Sequence, residues 1–193
     1  MIQDEYADLI PGGIMEKLKK QIQELENRIE LLENRIPDDK LSIIVFSGSL
    51  DKLIAAFVLA TGAAAMGSDV TLFFTFWGTA ALRKKVRIKK DFMSKMFGFL
   101  LPTGFNELKL SKLNMAGAGT SIMKSLMKKK NIVSLAEMLD ISQEMNIRIC
   151  VCEMSMDLMG MKHEEMVDYK NLEYCGVAKF LAEAHESRNS LFI

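Results

Sequence analysis

RICVCEMSMDLMG, residues 148–160, decides how the rest of the chain is read. Ile147, Ile149 and Val151, with Cys150 between them, make an apolar, β-branched run that predicts a buried strand, and the composition turns polar at Glu153. Cys152 falls at that junction. In an open α/β sheet, ligands and reactive groups gather outside the carboxyl ends of parallel strands, so chemistry is expected there. Ser155 is expected to cap the turn that follows, and the backbone N–H groups would favour a thiolate while Glu153 and Asp157 oppose it. Two readings of Cys152 stand side by side, a reactive thiol and a small buried hydrophobe. Cys150, inside the apolar run, reads as buried.

Upstream, LSIIVF at residues 41–46 predicts another buried strand, followed by SGSLDK and an alanine-rich helix. A strand, a short polar loop and a helix N-terminus can hold an anion. The loop lacks the glycine spacing of a dinucleotide fingerprint and the lysine of a phosphate loop, and on spacing alone a plain βα turn capped by Ser49 or Asp51 is the favoured reading. Residues 53–78 raise the question of a membrane span, which needs about 20 unbroken apolar residues. Gly67, Ser68 and Asp69 interrupt the run, with helix formers before and strand formers after. Helix, turn and buried strand are expected, the strand ending at Trp77-Gly78-Thr79.

Residues 83–90, RKKVRIKK, read as a solvated basic face, with a grip on phosphate or an acidic partner as the alternative. Residues 96–105 carry Phe97, Phe99, Leu100, Leu101 and Phe105 among Gly and Pro; a loop this apolar is expected to be a lid over the crevice or a subunit contact. Residues 108–110 suggest an extra strand. Asn114 to Thr120, with Gly117 and Gly119, makes a turn into a helix closed by Lys128, Lys129 and Lys130, and Ser134 caps the next helix, to Met145. After Gly160 a short acidic surface helix is expected, then an amphipathic helix over residues 175–185 and a final strand at 191–193. Strands alternating with helices predict an α/β fold, a mostly parallel sheet covered by helices on both faces in three layers.

Ahead of this domain (38–193) lies a segment (1–37) with a helix over about residues 14–36. Met15, Ile22, Ile29 and Ile36 occupy one heptad position and Leu18, Leu25 and Leu32 the other, the choice that favours a parallel two-stranded coil. The alternative is an amphipathic helix lying on its own domain. Pro37 stops it.

The chain has 25 basic and 25 acidic residues, so no global field draws nucleic acid or an anionic membrane. Three cysteines behind an N-terminus without an apolar signal core point to a reducing cytoplasm and free thiols. Fifteen methionines read as fillers of an irregular core. His163 and His185 lack ligand spacing, Cys150-x-Cys152 has no matching pair, and neither metal nor cofactor is called for. A Cys152–His163 nucleophile pair stays open, as does Cys175 as core or as a resolving thiol for Cys152. There is no Gly-x-Ser-x-Gly elbow.

Taken together, SGSLDK, AAAMGSDVTLFFTFWG, KLNMAGAGT, ICVCEMSMDLMG and the terminal LFI resemble the DsrE/DsrF-like family, in its longer single-domain branch labelled sulfur-transfer or peroxiredoxin-like. The resemblance spans residues 41–193 and leaves out the N-terminal helix. It implies a fold close to flavodoxin-like, homo-oligomers, and a transiently persulfidated cysteine, which falls on Cys152. Ser47, Gly48, Asp51, Trp77, Gly78, Asn114, Gly117 and Gly119 match family positions around the crevice. The peroxiredoxin label finds no P-x-x-x-T/S-x-x-C arrangement here. The expectation is a cytoplasmic sulfur carrier or sulfurtransferase-like protein working with sulfur donor and acceptor proteins. Its homo-oligomer would form through the N-terminal helix and the 96–105 loop. The competing expectations are a small-molecule, nucleotide or anion-binding module without thiol chemistry, and a protein of assembly alone.

Overall fold

A computed structural model describes residues 12–33, 38–86, 98 and 100–193. The chain divides into two units, Met1–Pro37 and Asp38–Ile193. Of the first, the helix α1 (Gly12–Glu33) is described, with an i,i+4 pair between Arg28 and Glu24 at 2.8 Å. Its Ile22, Leu25 and Ile29 are all more than half exposed.

In the second unit the elements run β1 (Asp38–Val45), α2 (Leu50–Ala65), β2 (Asp69–Phe74), α3 (Trp77–Ala81), α4 (Ala118–Lys129), α5 (Leu135–Glu144), β3 (Arg148–Cys152), α6 (Glu153–Leu158), β4 (Leu172–Cys175), α7 (Val177–Glu186) and β5 (Ser187–Phe192). The strands form one parallel sheet in the order β4-β3-β2-β1-β5. Gly67, at φ 95°, ends α2 and turns the chain into β2, which resolves residues 53–78 into helix, turn and strand. Among the described residues no helix is long and apolar enough to cross a membrane.

Period-two alternation divides the sheet into two unequal faces. Leu41, Ile43, Val45, Leu72, Phe74, Ile149 and Val151 join the large core with Leu53 and Phe57 of α2 and Leu135 and Met138 of α5. The opposite face is thinner. There Phe73, Cys150, Cys152 and Cys175 pack against Phe180 of α7, with Ile44 and Ala184 alongside. The rings of Phe73 and Phe180 stack at 4.4 Å, an arrangement worth about 0.5–1.5 kcal/mol beyond the area it buries.

Several expectations are corrected. Residues 108–110 are not a strand, because the Lys109 carbonyl accepts from Leu50 N (2.9 Å) and Leu110 N donates to Thr120 Oγ1 (3.0 Å), leaving no ladder to join. The acidic stretch after Gly160 is a 3-10 turn, His163–Glu165, with Glu165 and Met166 buried, and Met166 bridges antiparallel to Arg83. Arg83, read as part of a solvated run, is buried by its pairing with Glu165. Cys175 ends a strand rather than lying in the last helix, and that helix begins after Gly176. Ser134 does cap α5, in a reciprocal box with Glu137. Arg87 to Phe97 and Phe99 lie outside the described residues, so the basic run beyond Val86 and the aromatic start of the 96–105 loop do too.

Candidate functional site

Cys152 is the last residue of β3 and the N-cap residue of α6, so the sheet delivers it to the strand end as the sequence implies. Its side chain, however, shares a face with Cys150 and is fully buried beneath α7. It is the free thiol among the three cysteines. The other two are not free as expected: Cys150 and Cys175 form a disulfide across β3 and β4, with Cα atoms 6.0 Å apart. The cause is register. Cys175 stands opposite Cys152 in the parallel pair, and Cys150 points to the same side two residues earlier.

Ser155 does not cap the helix as expected. The helix starts at Glu153, and the fully buried Ser155 hydroxyl accepts from Phe76 N (3.0 Å) and shares a hydrogen bond with Thr75 Oγ1 (2.9 Å). Ser155 thereby fastens the β3 end to the β2 end, where Phe76 sits at φ 45°. His163 is not set against Cys152. Its ring stacks on Tyr174 at 3.7 Å.

The SGSLDK loop and the β2 end meet in a crevice cavity of about 520 Å³ lined by Ser47, Gly48, Ser49, Trp77, Leu101 and Lys109 among others. Leu100, Leu101 and Pro102 form part of its wall. Gly78 and Cys152 are not in its lining. Gly48 and Gly78 are glycines because the two loops touch: a Cβ at Gly48 would collide with the Trp77 carbonyl, and one at Gly78 with the Val45 carbonyl. Gly78 N donates to Phe46 O at 2.9 Å across that contact.

At the start of α2 two backbone donors have partners in the chain. Leu50 N donates to Lys109 O, and Leu53 N to Ser49 O at 3.0 Å. Neither Ser49 nor Asp51 caps the helix; Ser49 Oγ pairs with Ser47 Oγ (2.8 Å), and the Asp51 carboxylate accepts from Ser111 N (2.8 Å) and Ser111 Oγ. Burial pushes the Asp51 carboxyl up, but the Ser111 bonds and nearby Lys52 outweigh it, and the net direction is down. A carboxylate at this helix start disfavours a second anion.

The Asn114 loop is likewise a folding device. Asn114 Oδ1 accepts from Thr120 Oγ1 (2.8 Å), and its carbonyl accepts from Gly117 N (2.8 Å) and Gly119 N (3.1 Å). Gly117 holds φ 101°, and a Cβ at Gly119 would strike the Leu113 carbonyl. A larger cavity, about 600 Å³, lies at Leu50, Phe105, Lys124, Met127 and the start of α5, and none of the expected site residues lines it. Among the described residues no group of three His, Cys, Asp or Glu side chains is placed to hold a metal ion.

Sequence reading missed the pairing of Cys175 and the role of Thr75. The signal for the first was present, since LEYC between Asn171 and Gly176 has strand length and boundaries, and Cys150-x-Cys152 has the period of one strand face.

Over 156 residues the chain is 43% identical to the uncharacterized protein YrkE of Bacillus subtilis (strain 168), covering 80% of this chain and 96% of the relative. Over 158 residues it is 37% identical to the sulfur carrier protein DsrE2 of Allochromatium vinosum, covering 80% and 98%. The ychN protein from E. coli aligns over 80% of this chain and 98% of its own, at 12% identity and a TM-score of 0.46. Residues 37–192 match the DsrE/DsrF/DrsH-like family, and with relatives of this identity and coverage, the chain belongs to it.

Proposed function

We propose that this protein is a sulfur carrier, or sulfurtransferase-like protein, that takes sulfane sulfur as a persulfide on Cys152 and passes it to the thiol of an acceptor protein. A sulfur-transfer role follows the family and the 37% identical relative named a sulfur carrier. The observation that carries the finer reading is the position of Cys152: a free thiol at the carboxyl end of an interior strand, beside the Cys150–Cys175 disulfide. A donor persulfide or polysulfide would be attacked by the Cys152 thiolate, and the acceptor thiol would then take the outer sulfur by the same exchange. Because Cys152 is buried against Phe180 of α7, both steps require this cover to open. We place the protein in the cytoplasm and expect it to work as a homo-oligomer through its N-terminal helix.

Intact mass spectrometry after incubation with thiosulfate, polysulfide or glutathione persulfide tests this. A reducible gain of about 32 Da, one sulfur atom, mapped to the Cys152 peptide and absent from Cys152→Ser is expected. Loading that persists in Cys152→Ser overturns it.

The crevice cavity of about 520 Å³ favours one other reading, a small-molecule binding module in which Cys152 is structural. A thermal shift with a nucleotide or coenzyme A, unchanged in Cys152→Ser, together with no sulfur gain on the wild type, would select it.

A further inference from the structure

The three cysteines are arranged as a relay. Cys175 is in register with Cys152 on the neighbouring strand, and adjacent strands stand about 4.8 Å apart. It is also disulfide-bonded to Cys150, at a Cα separation of 6.0 Å. Both spacings fall in the window of roughly 4.4–6.8 Å that a disulfide accepts, so Cys175 can bond to either residue without moving the strands. All three lie on one sheet face under Phe180, at 3% exposure or less. A sulfur held on Cys152 in the closed protein is therefore out of reach of any thiol except Cys175 and Cys150. If the protein works in a reducing cytoplasm, a resident disulfide is characteristically transient and catalytic rather than structural.

We infer that Cys175 is a resolving residue that decides the fate of sulfur on Cys152, an inference resting on the sulfur-carrier reading above. With Cys150 and Cys175 reduced, the Cys175 thiolate attacks the inner sulfur of the Cys152 persulfide. The Cys152–Cys175 bond forms and the persulfide S–S bond breaks. The outer sulfur leaves with that electron pair as HS⁻ and, with the proton Cys175 gave up, becomes hydrogen sulfide. The sulfane sulfur gains two electrons, and the two cysteines supply them by becoming a disulfide. The Cys150 thiolate then attacks Cys175, forming Cys150–Cys175 and releasing Cys152, which takes the Cys150 proton; no further electrons move. This end state is the pairing in the structure. A dithiol reductant returns Cys150 and Cys175 to thiols. While that pair is oxidised, Cys152 has no resolving thiol, and sulfur loaded on it is kept for an acceptor. The pair thus selects between carrying sulfur and releasing it as sulfide.

The test uses the full chain, either reduced and desalted or oxidised, loaded with inorganic polysulfide and desalted again. Released sulfide, intact mass and non-reducing peptide maps are then read. Reduced wild type is expected to release about one sulfide per chain, lose about 2 Da and carry a Cys150–Cys175 cross-link, whereas oxidised wild type keeps the added sulfur. Cys175→Ser, with Cys175→Ala as a second variant in case serine disturbs the buried site, keeps the gain of about 32 Da and releases no sulfide above the Cys152→Ser background. Cys150→Ser releases sulfide but stops at a Cys152–Cys175 cross-link. Sulfide release from the Cys175 variants equal to wild type overturns the role of Cys175 and leaves Cys152 as carrier. No gain on Cys152 in the Cys175 variants overturns the carrier reading and this inference with it.

Discussion

Arg83 and Glu165, 82 residues apart in the chain, form a buried ion pair in which Nε and Nη2 of the arginine both donate to Oε2, at 3.2 and 2.9 Å. The remaining guanidinium nitrogen donates to the carbonyls of Leu101 and Pro102, each at 3.4 Å, and so holds part of the crevice wall. The other Glu165 oxygen accepts from Lys162 N at 3.0 Å. Removing one partner takes the bidentate ion pair from the other, still buried, charge, which costs far more than the pair contributes over an apolar replacement. Arg83→Ala and Glu165→Ala are each expected to lower stability by about 3–5 kcal/mol, and the double variant by less than the sum. Urea unfolding of all four proteins checks this; additive losses would show that the pair is not coupled.

Ser155 gives a prediction that separates folding from chemistry. Its hydroxyl is the partner of both Thr75 and the Phe76 amide, so alanine there takes the partner from a buried hydroxyl and from a half-buried N–H. A cost of about 1–3 kcal/mol is expected. Persulfide loading of Cys152 should continue at temperatures well below unfolding, because Ser155 faces β2 rather than the thiol. Denaturant titration alongside mass spectrometry of the loaded protein reads both; a stable Ser155→Ala that fails to load would return Ser155 to an anion-stabilising role.

Much of the fold is legible in the residue pattern alone, for reasons that also explain the gaps. Residues 41–46, 70–76 and 147–151 announce strands because interior parallel strands are covered on both faces and carry apolar side chains throughout. The edges β4 and β5, LEYC and SRNSLF, carry glutamate, arginine and asparagine, so their signal is weaker: LEYC has strand length and boundaries but only one buried residue, and of β5 the apolar end alone is expected. The same limit applies to the site. A motif locates Cys152 at a strand end, but the partner of Cys150 depends on register with a strand 23–25 residues later, which no local pattern fixes. The matched glycines illustrate a second limit. Gly48 and Gly78 look like a ligand cradle in one dimension, while in three dimensions Gly48 makes room for the Trp77 carbonyl and Gly78 for the carbonyl of Val45 at the end of β1.

Tyr169 predicts an alkaline limit to stability. Its phenol donates to Ile147 O at 2.6 Å, and burial pushes its pKa well above the ordinary value near 10. In the folded chain it stays protonated where the unfolded chain has begun to ionise. The folded state therefore binds more protons above about pH 10, and stability falls as pH rises from there toward the folded pKa. Below that range the contribution is fully present. Tyr169→Phe should lose about 1 kcal/mol at neutral pH, the value of the hydrogen bond, and show a shallower alkaline decline. The slope is reduced rather than abolished, because burial, then Glu164, push Tyr174 in the same direction. Unfolding free energies between about pH 8 and 11 measure it; equal slopes in the two proteins would sink the assignment.

The N-terminal helix makes the last prediction. In α1, Ile22, Leu25 and Ile29 are 54%, 57% and 53% exposed, and they repeat at the spacing of one seam, flanked by Gln21, Glu26 and Arg28. A single amphipathic helix of 22 residues has little reason to persist in water with that stripe uncovered, since most helical stability in proteins comes from packing an apolar face. A second copy of the same helix supplies a matching stripe, with isoleucine facing isoleucine and leucine facing leucine. Deleting residues 1–36 should therefore lower the subunit number seen by light scattering while leaving the five-stranded domain folded, because no strand or core residue of that domain is removed. Dilution of the intact chain should reproduce the change at low concentration, since association follows mass action. An unchanged subunit number after the deletion would assign assembly to the α/β domain, with the exposed stripe of α1 left for a different partner.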